Sequence, residues 1–327
     1  ELPHPKGIVS RTVAGQPLIL VRRDDGSLGG YHNVCRHRGA LLVDVAQDAC
    51  ERGVVTCPYH AWSYDLNGRL LGAPNMGPLT PETRATLGLK PLDVASWHGC
   101  LFVRCRNQGP GVDEFLATLG ARAMAWSLNS LVRAGQISYR VHANWKLLFE
   151  NYSECYHCPT VHPALNRLTP YQDSTNDWDS GPILGGPMRL AEGIQSMTTT
   201  GRAVAEPLPK LSEEQRTEIA YFTIFPSFFL SLHPDYVMMH RLNPISPAET
   251  DVVCEFLFRP EVVAAAGFDP GPALEFWDLT NRQDWHVCER VQAGAASRAF
   301  QPGPYSHLES IVAAFDRHYL QQFDRAD

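Results

Sequence analysis

Two cysteine–histidine pairs carry most of the chemistry this chain could perform. Cys35-Arg36-His37 and Cys57-Pro58-Tyr59-His60 read C-x-H and C-x2-H, with nineteen residues between them. Thiolate and imidazole are both metal donors. A zinc site is one reading, but zinc-finger spacing groups cysteines with cysteines and histidines with histidines. Here each pair holds one of each. That mixture suits a [2Fe–2S] cluster in which two cysteines hold one iron and two histidines hold the other. Neutral imidazoles remove negative charge from such a cluster and raise its potential, so it relays single electrons instead of resting at the low potential of an all-cysteine cluster. A redox protein is therefore expected.

A second constellation occupies residues 144–163, from Asn144-Trp145-Lys146 to Val161-His162-Pro163. The run reads as one amphipathic helix that breaks near Pro159. Glu154 and His157, at i and i+3, then share a helical face. His162 would swing away on a regular helix, but a proline interrupts the hydrogen-bond ladder and lets the chain return. Two imidazoles converge, and with one carboxylate they would form the facial triad of non-haem Fe(II) oxygenases, which leaves positions open for dioxygen and substrate. The carboxylate must come from elsewhere. Residues 276–292 have helix length and helical apolar spacing, with Asp284 in the middle. An acid on the solvated face of a surface helix is the plain alternative for Asp284. Asp278 and Glu289 compete for the same role.

The elements that must position these residues fall into two parts. From residue 8 to about 105, short β-rich runs alternate with turn signals such as Ala14-Gly15, Asp24-Asp25-Gly26 and Leu66-Asn67-Gly68. Both pairs then sit in loops, the first after Tyr31-His32-Asn33-Val34 and the second between Val54-Val55-Thr56 and Ser63-Tyr64. Gly39 would let the backbone turn close to sulfur. Ala40 to Glu51 forms the excursion between the pairs, and Gly99 to Val103 a closing strand. The polar, glycine-bearing run from Arg106 to Gly111 marks a boundary, so the expected domains are 1–110 and 111–327. The second opens with a helix over Val112 to about Ala125 and a strand over Ile137 to Val141. A chain of 327 residues has length for two cored domains. Hydrophobic residues make up 44% and charged residues 19%, and no apolar run is long enough to span a membrane. A net charge of −7 with dispersed cations argues against a nucleic-acid surface. Nine cysteines are too few for a disulfide scaffold, so those outside the cluster, including Cys155 and Cys158, are expected as thiols in a reducing cytoplasm.

With Gly39 directly after Cys-Arg-His-Arg and Trp62 two places beyond His60, the first motif resembles the Rieske domain of ring-hydroxylating oxygenases. Glu154-x2-His157-x4-His162, followed more than a hundred residues later by Asp284, resembles the catalytic half of Rieske non-haem iron oxygenase α subunits. The resemblance covers both ends and the middle of the chain. It implies an α+β protein with an N-terminal all-β Rieske [2Fe–2S] domain and a C-terminal helix-grip catalytic domain built on an antiparallel sheet. It selects Asp284 as the third ligand of a mononuclear Fe(II) with His157 and His162. It gives Cys35, His37, Cys57 and His60 to the cluster. It also implies that Glu154 is no ligand but an electron bridge from His157 to His60 of the partner subunit in a head-to-tail ring, a homotrimer. Many family members have Asp at this bridge, and Glu is one methylene longer. The chain begins at Glu1 without a targeting signal, and the resemblance implies that a leading helical segment precedes this point in the family.

The runs Asn-Tyr-Ser-Glu-Cys-Tyr-His-Cys and Asp-Leu-Thr-Asn-Arg-Gln-Asp-Trp look most like members that oxidise quaternary ammonium compounds such as glycine betaine, stachydrine or carnitine. Aromatic faces can hold such a cation without a dedicated acid. Tyr171, Trp178, Tyr221, Phe222, Phe225, Phe228, Phe229 and Tyr236 cluster where the sheet is expected, and two or three of them are expected to reach a pocket. The same rings would serve ring hydroxylation or aryl O-demethylation. A third reading, an electron carrier with a ligand-binding module, leaves an open iron site without purpose. No nicotinamide or flavin motif is visible, so a separate reductase with flavin and iron–sulfur centres is expected to bring electrons from NAD(P)H. Dioxygen and a small molecule are the substrates, with no nucleic acid and no membrane as partners.

Overall fold

The computed structural model describes residues 2, 4–44, 53–105 and 111–324. Part of the excursion between the two pairs and the expected boundary run at 106–110 lie outside the described residues. The chain divides into two compact units, Glu1–Ala121 and Arg122–Asp327.

In the first unit the strands are β1 (Ile8–Val13), β2 (Gln16–Arg22), β3 (Leu28–His32), β4 (Val54–Thr56), β5 (Ser63–Asp65), β6 (Leu70–Gly72), β7 (Pro91–Trp97) and β8 (Cys100–Arg104), with one short helix, α1 (Pro81–Thr86), before β7. They form a five-stranded sheet of order β1-β2-β3-β7-β8 and a small sheet of order β4-β5-β6. The turns follow from local chemistry. Ala14 and Gly15 both take positive φ, 49° and 73°, and Val13 pairs with Gln16. That is the two-residue turn whose twist matches antiparallel strands. Between β5 and β6 the Asp65 carboxylate accepts the amides of Asn67 and Arg69, while Gly68 takes a φ of 75°. Cys35, Cys57, Trp62, Tyr64 and Leu66 share one buried cluster with Ile19 and Val21, so the loops bearing the two pairs are anchored on the same core. Helix α2 (Val112–Ala123) buries Leu116 and Leu119. A Cβ on its Gly120 would stand 3.3 Å from the Trp97 indole nitrogen at the end of β7. Most of α2 lies in the first unit, which ends at Ala121.

The second unit is built on an antiparallel sheet formed by β9 (Val132–Val141), β10 (Ile183–Arg189), β11 (Glu218–Ile224), β12 (Phe228–Leu232), β13 (Val237–Ser246) and β14 (Glu249–Phe258). Its order is β10-β11-β12-β13-β14-β9, so the first strand in sequence pairs with the last. β14 alternates partly exposed and buried residues along its length, the signature of a strand with one covered face, whereas β12 is buried throughout. The short helices α3 (Trp145–Tyr152), α4 (Cys158–Val161) and α5 (Pro163–Leu168) follow β9, and α6 (Pro260–Val263) leads to the long α7 (Gly271–Ala295). A final helix, α8 (Ser310–Asp324), follows. Helix α7 lays Ala273, Phe276, Trp277, Trp285 and Cys288 into the cluster that holds Phe229, Met238 and Phe256 of the sheet. Helix and sheet approach so closely at Gly135 that a Cβ there would lie 2.6 Å from Leu274. Hydrogen bonds lock the packing: the Trp277 indole donates to the Tyr236 hydroxyl at 2.7 Å, which donates to the Met197 carbonyl at 2.8 Å. The α+β class, with a β-rich N-terminal module and an antiparallel sheet packed on the long helix α7, is the one expected, although the first unit also carries α1 and most of α2. None of the described helices is long and apolar enough to cross a membrane.

Candidate metal centres and substrate pocket

The two loops of the first unit are built alike. The Cys35 amide donates to the Ala40 carbonyl and its carbonyl accepts the Gly39 amide. The Cys57 amide likewise donates to the Trp62 carbonyl and its carbonyl accepts the Ala61 amide. In each loop the residue four places after the cysteine is left-handed: Gly39 at φ 78° and Ala61 at φ 56°. Asn33 pins the first loop, since its Oδ1 accepts the amides of Leu42 and Val43 and its Nδ2 donates to the Val43 carbonyl. The loops face each other. Cys35 and Cys57 are buried, while His37 and His60 are exposed with ring centroids 4.7 Å apart, and His37 stacks on Trp62. The Tyr64 hydroxyl lies 3.5 Å from Cys35 Sγ and accepts the Arg36 amide at 3.0 Å. Burial pushes its phenol well above the usual range, with the Cys35 hydrogen bond and both thiols adding to the shift. Two sulfurs thus lie inside and two imidazoles outside, a donor set that fits a [2Fe–2S] cluster with unlike irons.

In the second unit, His157, His162 and Asp284 bring one donor atom each within 4.8 Å of the others. Asp284 Oδ1 lies 2.7 Å from His162 Nε2 and 3.3 Å from His157 Nε2. The far sides of both rings are held. His157 Nδ1 donates to Glu154 Oε1 at 2.5 Å, and His162 Nδ1 donates to Gln283 Oε1 at 2.8 Å. These acceptors hold the Nδ1 protons and aim both Nε2 atoms at Asp284, as in metal sites where a carboxylate or carbonyl orients a ligand imidazole. Burial lowers the His157 pKa, but hydrogen bonds to Asp284 and Glu154 outweigh it and push the ring up to about 10. Burial raises Asp284, and the two histidines more than reverse this and hold it below its ordinary value. The pocket is built to attract positive charge, and its donor set of two imidazoles and one carboxylate, with an open side, fits a mononuclear iron.

The local fold that achieves this differs from the single broken helix expected over 144–163. Helix α3 is capped by Asn144, whose side chain accepts the Lys146 amide, and ends at Tyr152, where the Ser153 hydroxyl donates back to the Phe149 carbonyl at 2.6 Å. Glu154 and His157 therefore lie in a turn rather than on a helix face. The Glu154 carboxylate closes that turn by accepting the amides of Tyr156 and His157. Pro159 does not break a helix but sits in the first turn of α4, where a missing amide costs nothing. His162 separates α4 from α5 at φ −123° and ψ 64°. Two single-turn helices on either side of it swing both rings to Asp284. The same tight turn joins Cys155 to Cys158 in a disulfide, with Cα atoms 5.0 Å apart, which corrects the expectation that both stay thiols. The Cys158 amide donates to the Cys155 carbonyl there at 3.1 Å, which brings the two residues together.

The competing carboxylates are engaged elsewhere. Asp278 accepts the Tyr139 hydroxyl and pairs with Arg282, and Glu289 accepts the His142 amide. A pocket opens over the triad, lined among others by Tyr152, Tyr221, Thr223, Trp277, Thr280 and Met188. Of the eight aromatic residues singled out by sequence, Tyr221 alone lines it; Phe222, Phe228, Phe229 and Tyr236 are buried core. Tyr152 and Trp277 come from helices and were missed. Trp277 precedes Asp284 by seven residues, two turns on the same helical face, and that spacing was a usable signal. Gln283, which orients His162, carried none.

Comparison with known proteins agrees with this geometry. Residues 1–92 match the Rieske [2Fe-2S] domain, and residues 128–325 match the ring hydroxylating alpha subunit (catalytic domain). The chain is 32% identical to the glycine betaine monooxygenase oxygenase subunit of Chromohalobacter salexigens, over 94% of this chain and 74% of that one. It is 27% identical to the carnitine monooxygenase oxygenase subunit of Escherichia coli, over 99% of this chain and 83% of that one. Among solved structures, the quaternary ammonium Rieske monooxygenase CntA in complex with L-carnitine superposes with a TM-score of 0.73 at 22% identity, covering 99% of this chain and 86% of that chain. Naphthalene 1,2-dioxygenase from Rhodococcus sp. superposes with a TM-score of 0.72 at 18% identity, covering 98% and 86%. The fold is thus common to both and does not itself choose between substrate classes.

Proposed function

We propose, for a chain that belongs to the family of Rieske-type ring-hydroxylating oxygenase α subunits, that it is a terminal oxygenase that oxidises a quaternary ammonium compound, by N-demethylation or hydroxylation, with electrons from a separate NAD(P)H-dependent reductase. The observation that carries the substrate class is the make-up of the pocket. Its described lining contains the rings of Tyr152, Tyr221 and Trp277 among apolar side chains such as Leu184 and Met188, and neither lysine nor arginine. An alkylammonium head is attracted by ring faces and needs no dedicated acid.

In this reading Cys35 and Cys57 would hold one iron of the cluster and His37 and His60 the other, and His157, His162 and Asp284 would hold the mononuclear iron. When bound, the cluster supplies single electrons and the mononuclear iron supplies activation of dioxygen beside the substrate. The chain's own residues do the rest. Glu154 and Gln283 fix the two ligand rings, and the pocket rings orient the methyl groups toward the triad. The Glu154 side chain is 12% exposed and His60 is exposed, which supports a link from Glu154 to His60 of the partner subunit in a head-to-tail homotrimer. Inter-subunit electron transfer is described for a quaternary ammonium Rieske monooxygenase of similar fold. The need for an NAD(P)H-dependent reductase supports a cytoplasmic location.

Calorimetric titration of the iron-loaded protein tests the substrate class. Glycine betaine should bind more tightly than its neutral-headed isostere 3,3-dimethylbutanoate by about 0.5–2 kcal/mol, the difference a cation makes over aromatic faces. Equal or tighter binding of the isostere, or turnover confined to aromatic acids, would move the assignment to arene oxidation.

A further inference from the structure

The disulfide between Cys155 and Cys158 brackets the ligand His157, and both of its residues line the pocket. The other described cysteines, Cys35, Cys57, Cys100, Cys105, Cys254 and Cys288, are free. Cys158 belongs to the hydrophobic core at 3% exposure, and its Sγ lies 4.0 Å from the His157 Nε2 that faces Asp284. Its backbone also meets both sides of the site. The amide donates to the Cys155 carbonyl at 3.1 Å, and the carbonyl accepts the amide of the second ligand, His162, at 2.9 Å.

The limb of the turn that precedes Cys158 lies nearer to solvent. Glu154 and Cys155 are only partly buried, and Tyr156 is 56% exposed. This limb carries the carboxylate that accepts His157 Nδ1 and the amides of Tyr156 and His157. Those hydrogen bonds join residues of the turn to one another. The disulfide adds a covalent tie from the exposed limb to the buried residue. Disulfides open to solvent are the labile, regulatory kind, and exchange needs a thiolate to reach one sulfur only. Cys155 is the more exposed residue of the pair.

We infer that Cys155 and Cys158 form a redox-modification site: a dithiol reduces their bond and thereby weakens the hold of His157 on iron, and an oxidising disulfide restores both. In the exchange a thiolate of the dithiol attacks Cys155 Sγ, the S–S bond breaks, and Cys158 leaves as a thiolate that takes a proton. The second thiol of the reductant then attacks the mixed disulfide, closes its own disulfide and releases Cys155 as a thiol. Two electrons and two protons have passed to the pair. Cys158 stays packed in the core, while the limb bearing Glu154 loses its covalent tie and aims the His157 ring less firmly. The inference rests on His157 as a metal ligand and is independent of the substrate.

Holoprotein purified in air would be divided into an untreated and a dithiothreitol-treated sample, and the reductant removed anaerobically by gel filtration. Alkylation in denaturant and peptide mass spectrometry should find the 155–158 pair unlabelled and bonded in the first sample and doubly labelled in the second. Competition with a ferrous chelator should show the treated protein holding mononuclear iron roughly tenfold more weakly, the lower range for loss of support behind a metal-bound histidine. Cluster absorbance should be equal in both samples, and oxidised glutathione should restore the bond and the affinity. The double variant Cys155→Ser, Cys158→Ser should hold iron like the reduced wild type, with or without dithiothreitol. A pair that is labelled before treatment or unlabelled after it, equal iron affinity in the two wild-type forms, or a dithiothreitol effect that persists in the double variant would each overturn the inference. An untreated wild type without mononuclear iron would instead remove His157 as a ligand, and the inference with it.

Discussion

His157→Ala will yield a protein with an intact cluster spectrum and no mononuclear iron, and His60→Ala will yield the reverse. The expectation follows from the separation of the two donor sets. Cys35, His37, Cys57 and His60 sit on the core around Trp62 and Tyr64 in one unit, whereas His157, His162 and Asp284 sit between α7 and the short helices of the other. Loss of a residue that merely orients a ligand costs roughly 10–100-fold in metal affinity. Deletion of a ligand itself should cost more, and iron at that site should fall to background after desalting. His37→Ala should behave like His60→Ala. Iron analysis together with visible absorbance reads all three variants. Cluster absorbance that survives in both the His37 and His60 variants would remove the assignment of those residues.

Glu154→Gln will separate holding the metal from serving it. The carboxylate has two tasks within the chain: Oε1 accepts His157 Nδ1, and Oε2 closes the turn through the amides of Tyr156 and His157. Glutamine is nearly isosteric and keeps one acceptor: with its carbonyl oxygen toward His157 Nδ1 the tautomer survives and iron should remain bound, while its amide nitrogen no longer accepts the amides of Tyr156 and His157. What disappears is the negative charge behind His157 that would anchor His60 of the partner subunit. In a single turnover of the reduced protein with substrate and oxygen, the variant should reoxidise its cluster at least about 100-fold more slowly, the upper range for loss of a partner that orients a metal ligand. Both iron centres should stay loaded. A glutamine variant that turns over at the wild-type rate would show that no charge is needed at this position, and the bridge assigned to Glu154 would have to be given up.

Much of this was legible in residue order, and the parts that were not share a cause. The cluster loops could be read because each pair is local: C-x-H and C-x2-H state their own geometry, and Gly39 announces its left-handed turn. Ala61, which plays the same part in the second loop at φ 56°, could not be read, since alanine carries no such signal. At the triad, His157 and His162 are close in sequence, but Asp284 had equals in Asp278 and Glu289 until the family pattern was considered. Tertiary contacts explain the choice: Tyr139 and Arg282 occupy Asp278, and the His142 amide occupies Glu289. The expected helix through Glu154 failed for a similar reason. Periodicity cannot show that the Ser153 hydroxyl turns back on Phe149 or that the Glu154 carboxylate gathers two amides. Pocket aromatics are the extreme case, because β-strand aromatics such as Phe222 and Phe229 look the same in sequence whether they face a ligand or the core.

Formaldehyde release in a single turnover tests the central claim, that both iron sites in this chain cooperate to oxidise a quaternary ammonium compound. The protein, reduced chemically and freed of excess reductant, would be mixed with glycine betaine and oxygen, and cluster reoxidation followed alongside product. The account predicts that reoxidation accelerates when glycine betaine is present and that formaldehyde and the demethylated amine appear in step with it. It also predicts that His157→Ala abolishes both signals while its cluster stays reducible. Reoxidation indifferent to every quaternary ammonium compound offered, yet accelerated by an aromatic acid that is hydroxylated, would contradict the assigned substrate class; product formation by His157→Ala would contradict the assigned site.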